Sequence, residues 1–103
     1  IHEGTMTVER LVELTASEPA KLFKLYPKKG VLRIGSDADI VAVDPDKKTR
    51  ITHTSVLSKC GWTPFAGRKL LGVPIHTLVR GQFVYKNSKV VGKPGYGKLA
   101  KPI

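Results

Sequence analysis

Apolar residues near the start of the chain recur at the spacing of a helix. Four positions follow the i, i+3, i+4, i+7 rule and share one helical face: Val8, Leu11, Val12 and Thr15. Thr7 precedes them and suits an N-cap, because its hydroxyl can accept a backbone N–H of the first turn. This pattern predicts an amphipathic helix over residues 7–16.

A second helical pattern follows the interruption at Ser17–Pro19. Pro19 cannot continue the first helix, but its fixed φ suits the first turn of a new one. Ala20 and Phe23 give the new helix an apolar side. Pro27 ends it, since the residue before a proline avoids the α region. We therefore expect two short helices that meet at a sharp corner.

The periodicity changes to that of strands after Gly30. Val31–Ile34 predicts a short strand, and Gly35–Asp37 predicts a turn. Ala38–Val43 is a nearly continuous apolar run, which is typical of a strand buried on both faces. Asp44–Asp46, with its central proline, is expected to stop that strand.

The middle of the chain alternates between polar strand patterns and loop residues. Lys47–Thr54 is polar and β-branched and predicts an exposed strand. Val56–Arg68 lacks a clear period and predicts an ordered loop held by Trp62 and Phe65. Lys69–Val73 is consistent with a short strand.

The clearest β signal is a hairpin over Ile75–Tyr85. Two β-rich runs flank Arg80-Gly81, and Asn87-Ser88 marks a second turn before Lys89–Val91. Lys93–Ile103 combines glycine, proline and lysine, so we expect a tail on the surface or partly disordered. Helices followed by strands predict a small α+β fold.

The positive charge is concentrated in the second half of the chain. The formal net charge is +10, and the residues after Asp46 include twelve Lys or Arg and no Asp or Glu. Such a face can attract nucleic acid, an acidic subunit or an anionic substrate. A solvated face whose counter-charges lie in another part of a longer chain is the favoured interpretation.

Nucleic-acid binding is the weaker alternative. The aromatic side chains available to stack bases are spread over the sequence: Trp62, Phe65, Tyr85 and Tyr96. Scattered aromatics more often anchor cores and loops.

The bulk composition is that of one small globular domain, with 103 residues of which 41% are hydrophobic. No apolar run approaches the ~20 residues of a membrane span, and no signal-peptide pattern opens the chain. Cys60 is the one cysteine, which fits a reducing cytoplasm. Because the first residue is Ile1, we expect a fragment of a longer chain.

Three isolated histidines offer little for a metal site. His2, His53 and His76 lie far apart, with no His-x-His, HExxH or Cys-x-x-Cys. A site assembled across the fold from all three, with Asp37 or Asp39, is the less favoured alternative.

The aspartates that could be calcium ligands also have a structural interpretation. Asp37, Asp39, Asp44 and Asp46 lack the glycine and closing glutamate of a calcium loop. We expect Asp37 to bond turn backbone and Asp39 to cap the strand entry.

Two further features could carry chemistry: a thiol that could be reactive, and a glycine-rich stretch that could bind phosphate. Lys59 beside Cys60 would lower the pKa of the thiol. The favoured interpretation is nevertheless a packed or unreactive thiol with no chemical role. Gly92–Lys98 has glycines and lysines but lacks the strand and helix of a phosphate-binding loop.

The order of residues resembles the C-terminal part of cyclic amidohydrolases: dihydroorotase, allantoinase and dihydropyrimidinase (hydantoinase). The matching segments cover nearly the whole chain: Thr7–Thr15, Pro19–Phe23, Gly30, Gly35–Val41, Asp44-Pro45, Ser58–Gly67 and Val79–Tyr85. Ser58–Gly67 favours dihydroorotase among these relatives. One departure is Glu18, where an Asn before the proline is usual.

The resemblance implies a (β/α)8 barrel with a small β-sandwich. Residues 1–29 would be the last barrel helices, and residues 30–103 the C-terminal part of the sandwich with a basic tail. The implied partners are the remainder of the chain, further copies of it, and an acidic partner enzyme.

The resemblance also implies the reaction. In the family a His-x-His pair, a carboxylated lysine, two more histidines and an aspartate hold two zinc ions at the barrel mouth. A dihydroorotase parent would reversibly hydrolyse dihydroorotate to N-carbamoyl-aspartate in pyrimidine biosynthesis. None of those residues maps onto this chain, so no catalytic, cofactor or metal residue is assigned to it.

We therefore expect the chain alone to be inactive and metal-free. The alternatives are an allantoinase or hydantoinase fragment, or a non-enzymatic basic binding module.

Overall fold

The amino-terminal part of the chain is helical. In the computed structural model, which describes residues 1–103, helix α1 (Val8–Val12) leads into a π-helical turn (Glu13–Ser17) and then into α2 (Glu18–Leu22). The Thr7 hydroxyl accepts the N–H of Arg10 at 3.1 Å. The predicted N-cap is therefore confirmed.

The three helical stretches form one continuous segment, and the predicted corner at Pro19 is wrong. Glu13 and Ser17, at the two junctions, both keep right-handed helical angles (φ −55°, ψ −54° and φ −73°, ψ −42°). A proline inside an α-helix clashes with the carbonyl four residues before it. Here a wider π-helical turn directly precedes Glu18 and Pro19, so the ring is accommodated without a break.

The helical segment ends at Leu22, earlier than the predicted end at Pro27. Phe23 leaves the helical region with φ −89° and ψ 11°, and Lys24 has a positive φ of 54°. A left-handed residue at this place is a common helix terminator.

The segment between helix and sheet contains turns and no strand. The strand predicted at Val31–Ile34 is wrong, because no other strand lies beside it and the side chains of Leu32 and Ile34 are exposed. The predicted turn at Gly35 is confirmed by its φ of 92°.

Four antiparallel strands form one sheet in sequence order. The strands are β1 (Ile40–Arg50), β2 (Lys69–Val79), β3 (Gln82–Lys86) and β4 (Lys89–Val90). In the β1–β2 pair, Ile40 lies opposite Leu78 and Arg50 lies opposite Lys69. The predicted α+β class is confirmed.

Strand β1 differs from its prediction in two ways. It does not stop at Pro45 but continues to Arg50 with an irregularity after Asp44. A proline is tolerated there because β1 is an edge strand. The strand is also not buried on both faces, since Val41 and Val43 are 56% and 53% exposed.

Both predicted β turns are confirmed. Arg80 and Gly81 have φ values of 47° and 79°, and Asn87 and Ser88 have φ values of 49° and 64°. Positive φ at both central residues gives the turn a twist that matches the flanking strands. The strand predicted at Lys69–Val73 is the first half of β2.

The loop between β1 and β2 is held by hydrogen bonds. A 3-10 turn (His53–Ser55) carries a capping box with Thr52, and the N–H of Thr63 donates to His53 Nδ1 at 3.3 Å. Trp62 and Phe65 are 61% and 50% exposed. Neither aromatic is buried, so burial of these side chains does not hold the loop, although the Phe65 ring lies 5.2 Å from the Arg68 guanidinium.

Little of the chain is buried against itself. Ala20 is the one buried residue, and no helical element contacts a strand. The radius of gyration is 15.5 Å, compared with about 13 Å for a compact domain of this length. No helix has the length and apolar character needed to cross a membrane.

Candidate functional site

The three histidines lie in separate places, each with its own contact. His2 Nε2 is 2.8 Å from the carbonyl oxygen of Pro45. His76 Nδ1 accepts the N–H of Asn87 at 3.4 Å, and its ring forms a T-shaped pair with that of Phe83, with centroids 5.6 Å apart. No group of three or more His, Cys, Asp or Glu side chains could hold a metal ion.

The acidic residues considered for a cation are engaged with the protein. Asp44 Oδ1 accepts the N–H groups of Asp46 and Lys47 at 3.0 and 3.1 Å, which stabilises the irregularity in β1. The ammonium of Lys29 forms ion pairs with the carboxylates of both Asp37 and Asp39. The distance from Lys29 Nζ to Asp37 Oδ2 is 2.9 Å. These carboxylates have structural roles.

Asp39 ties the start of β1 to the β2–β3 turn. Its Oδ1 accepts the N–H of Arg80 at 2.8 Å while its other oxygen accepts from Lys29. The predicted role of Asp39 at the strand entry is thus confirmed. The ion pair between Lys29 and Asp39 could not be predicted from the sequence, because ten residues and a turn separate the two residues.

These contacts shift two pKa values in opposite directions. The hydrogen bond to Asp39, and then the one to Asp37, raise the pKa of the Lys29 ammonium. Partial burial acts to raise the pKa of Asp39. The hydrogen bonds from Lys29 and from the Arg80 backbone outweigh it and hold that pKa below its ordinary value.

A cleft of about 340 Å³ opens beside this network. We call it the basic cleft, and the charged residues that line it are Lys28, Lys29, Asp37, Arg80, Lys98 and Lys101. It lies between the end of the helical segment, the β2–β3 turn and the C-terminal tail. Five cations against one carboxylate make it a place where an anion is favoured.

The tail reaches the sheet through Tyr96. The Tyr96 hydroxyl donates to the carbonyl oxygen of Val79 at 3.0 Å. The Arg80 guanidinium lies 4.3 Å from the centre of the Tyr96 ring and donates to the Tyr96 carbonyl oxygen at 2.5 Å. The prediction of a tail on the surface is confirmed.

None of the twelve cations after Asp46 has a carboxylate partner. All four ion pairs involve cations between Arg10 and Lys29. A second cleft of about 470 Å³ lies where β1 and β2 carry Lys48, Arg50 and Lys69. Arg50 and Lys69 are directly opposite each other. Repulsion between like charges at opposed positions destabilises a strand pair.

Cys60 is exposed and polarised by its neighbours. Its Sγ lies 3.1 Å from the Ser58 hydroxyl. Contacts with Ser58, and then with the backbone of Trp62, lower the pKa of the thiol. The sequence predicted the direction of this shift but attributed it to Lys59. No base or oxyanion-binding group accompanies the thiol, so the arrangement carries no nucleophilic site.

The remaining candidates do not assemble into a site. Trp62, Phe65, Tyr85 and Tyr96 make no stacked aromatic pair with one another. Gly92–Lys98 precedes no helix, so it does not form a phosphate-binding loop.

Comparison with known proteins identifies the family. A sequence profile described as "Amidohydrolase family" matches residues 2–84. The chain belongs to the amidohydrolase family. The sequence-based resemblance to this family is therefore confirmed.

Curated relatives of this amidohydrolase chain include hydantoinases of both stereochemical types. It is 39% identical to the D-hydantoinase of Geobacillus stearothermophilus over 101 residues, which is 98% of this chain and 21% of the relative. It is also 39% identical to the L-hydantoinase of Paenarthrobacter aurescens over 99 residues, 96% of this chain and 22% of the relative. The chain thus spans about a fifth of the length of these relatives.

Solved structures show the same backbone. A D-hydantoinase superposes with a TM-score of 0.91 at 36% identity, over 98% of this chain and 22% of that one. The dihydropyrimidinase of Brevibacillus agri gives a TM-score of 0.89 at 34% identity, over 98% and 22%. These relatives are named as hydantoinases and dihydropyrimidinases, so the choice of dihydroorotase stays a prediction.

Proposed function

We propose that this chain is the C-terminal part of a cyclic amidohydrolase of the hydantoinase and dihydropyrimidinase type. Such an enzyme opens the ring of a cyclic amide by adding water across a C–N bond. The observation that carries the proposal is the 39% identity to a D-hydantoinase across 98% of the chain. The matching backbone of a solved D-hydantoinase, with a TM-score of 0.91, supports it.

The role proposed for these residues is architectural. Residues 1–29 would supply the last helices of a barrel, and residues 30–103 the C-terminal strands of a β-sandwich. The exposed apolar side chains of the helical segment and of the residue after it support this division: Val8, Leu11, Val12, Leu14, Leu22 and Phe23. Burial of such side chains is worth about 25 cal/mol per Å², so a neighbouring part of the enzyme would stabilise both regions.

Zinc chemistry would have to come from residues other than these. The donor set here does not fit a zinc centre, because His2, His53 and His76 lie apart with separate contacts. Asp37 and Asp39 are both engaged in ion pairs with Lys29. We therefore place the reaction centre of the proposed enzyme outside this chain.

A substrate panel tests the proposal. The protein as the organism makes it would be supplied with hydantoin, dihydrouracil, allantoin and dihydroorotate, and the ring-opened products would be measured. We expect the largest kcat/KM with hydantoin or dihydrouracil. Failure to open any of the four rings would contradict the proposal.

Dihydroorotase activity is the second candidate, and the order of residues in Ser58–Gly67 favours it. The same panel separates the two, because a dihydroorotase would show its largest kcat/KM with dihydroorotate. Binding of random-sequence DNA with no ring opening would instead favour a basic binding module.

A further inference from the structure

The basic cleft is bounded by three parts of the chain that are distant in sequence. Leu25, Lys28 and Lys29 follow the helical segment, Arg80 lies in the β2–β3 turn, and Lys98–Lys101 belongs to the tail. The cleft therefore exists only when the tail lies against the rest of the chain.

The tail is held on both sides of the cleft. At one end the Tyr96 hydroxyl donates to the carbonyl oxygen of Val79 at 3.0 Å. At the other end the N–H of Ile103 donates to the carbonyl oxygen of Lys24 at 2.8 Å. The residues between these two hydrogen bonds include Lys98 and Lys101, which are thereby kept at the cleft.

The charges at the cleft are not balanced within the chain. Asp37, the one carboxylate in the lining, is already paired with Lys29, and Lys29 also binds Asp39. The guanidinium of Arg80 and the ammonium groups of the other three lysines in the lining form no ion pair: Lys28, Lys98 and Lys101. Like charges gathered in one cleft repel one another, and a multivalent anion would remove that repulsion.

We propose that the basic cleft binds a small phosphate-bearing anion. Ammonium groups are strongly hydrated point charges that commonly bind phosphate. A volume of about 340 Å³ lies within the ~300–1,000 Å³ typical of small-molecule sites. The three unpaired lysines approach the cleft from two sides, since Lys28 follows the helical segment and Lys98 and Lys101 lie in the tail. The geometry therefore favours a compact anion with several charges over a single carboxylate.

Titration with inorganic pyrophosphate tests this site. The protein as the organism makes it would be titrated by calorimetry at constant ionic strength. The Lys98→Gln, Lys101→Gln double variant should bind pyrophosphate roughly tenfold more weakly, a change of about 1.4 kcal/mol. The matched control is Lys48→Gln, Lys69→Gln, which removes the same charge from exposed lysines at the second cleft. It should bind like the unaltered protein.

Three outcomes would overturn the proposal. They are the absence of pyrophosphate binding, an equal loss in both double variants, and an unchanged affinity in the cleft variant whose far-ultraviolet circular dichroism is native. Tighter binding of a DNA oligonucleotide, weakened only by Lys48→Gln, Lys69→Gln, would replace it with a nucleic-acid surface on β1 and β2. The readout is binding itself, so the result does not depend on the proposed ring-opening activity.

Discussion

Lys29 holds two carboxylates where the helical segment gives way to the sheet. Its side chain is 22% exposed, and those of Asp37 and Asp39 are 25% and 35% exposed. Partial removal from water strengthens such a pair relative to a surface ion pair, although solvent still screens it. The network links the loop, the start of β1 and the turn at Arg80.

Removing the Asp39 carboxylate should destabilise the protein in a pH-dependent way. Asp39→Asn is expected to lower the free energy of unfolding by about 1 kcal/mol at neutral pH, since Lys29 and the Arg80 N–H lose a charged acceptor. The pKa of Asp39 is depressed in the folded state. Its contribution is therefore present above the ordinary pKa of 3.8 and is lost as the pH falls through the folded value. Urea unfolding over an acid pH series measures this.

The control for that change is Asp46→Asn, which removes the same charge from a carboxylate without an ion pair. Asp46→Asn should leave the free energy of unfolding nearly unchanged. A constant difference in unfolding free energy between the unaltered protein and Asp39→Asn down to the lowest pH would contradict a charged role for Asp39.

Gly30 is required by a close approach to the helix. A Cβ at this position would lie 2.5 Å from Ala20 Cβ and 2.7 Å from the carbonyl oxygen of Ala16, and φ is +80°. Gly30→Ala should therefore cost about 3 kcal/mol, from left-handed strain and overpacking together. Gly35→Ala is the control, because φ is +92° but no atom lies within 4 Å of the added Cβ.

Gly35→Ala should cost only about 1 kcal/mol. Equal losses of unfolding free energy in the two variants would show that Gly30 is retained for its backbone conformation alone. That result would contradict the packing of this loop on Ala20.

Among the helices, strands and turns, the sequence predicted best the features that depend on neighbouring residues. The turns at Arg80-Gly81 and Asn87-Ser88 follow from residues that tolerate positive φ. The strand predicted at Val31–Ile34 failed because a strand needs a neighbour, which no local pattern reveals. The corner predicted at Pro19 failed because a π-helical turn absorbs the ring.

The candidate site was predictable only in part. The absence of metal-ligand spacing and the surface position of the tail were read directly from the sequence. The pairing of Lys29 with Asp39 was not, because it depends on how the loop folds back. The basic cleft depends on the contact between Tyr96 and Val79, which are 17 residues apart.

Tyr96 should determine how firmly the tail is held. Tyr96→Phe removes the hydroxyl that donates to Val79, a loss of about 1 kcal/mol. Amide exchange at Ile103, whose N–H donates to Lys24, should become about fivefold faster. Tyr85→Phe is the matched control, because the Tyr85 hydroxyl makes no hydrogen bond to the protein. Unchanged exchange in Tyr96→Phe would contradict the proposed attachment.

The chain as a whole is more open than a compact domain of its length. One residue in 103 is buried, and the radius of gyration of 15.5 Å exceeds the ~13 Å expected for a compact domain. The chain also spans about a fifth of the length of its curated relatives. These observations favour a supporting part of a larger enzyme over a self-sufficient catalyst.

We propose that these residues support a cyclic-amide hydrolase centre without containing it. The most direct test is to measure the opening of hydantoin and dihydrouracil at equal zinc concentrations, with the isolated 103-residue chain and with the protein as the organism makes it. We expect turnover by the latter, and neither turnover nor stoichiometric zinc in the isolated chain. Ring opening by the isolated chain with one or more tightly bound zinc ions would contradict it.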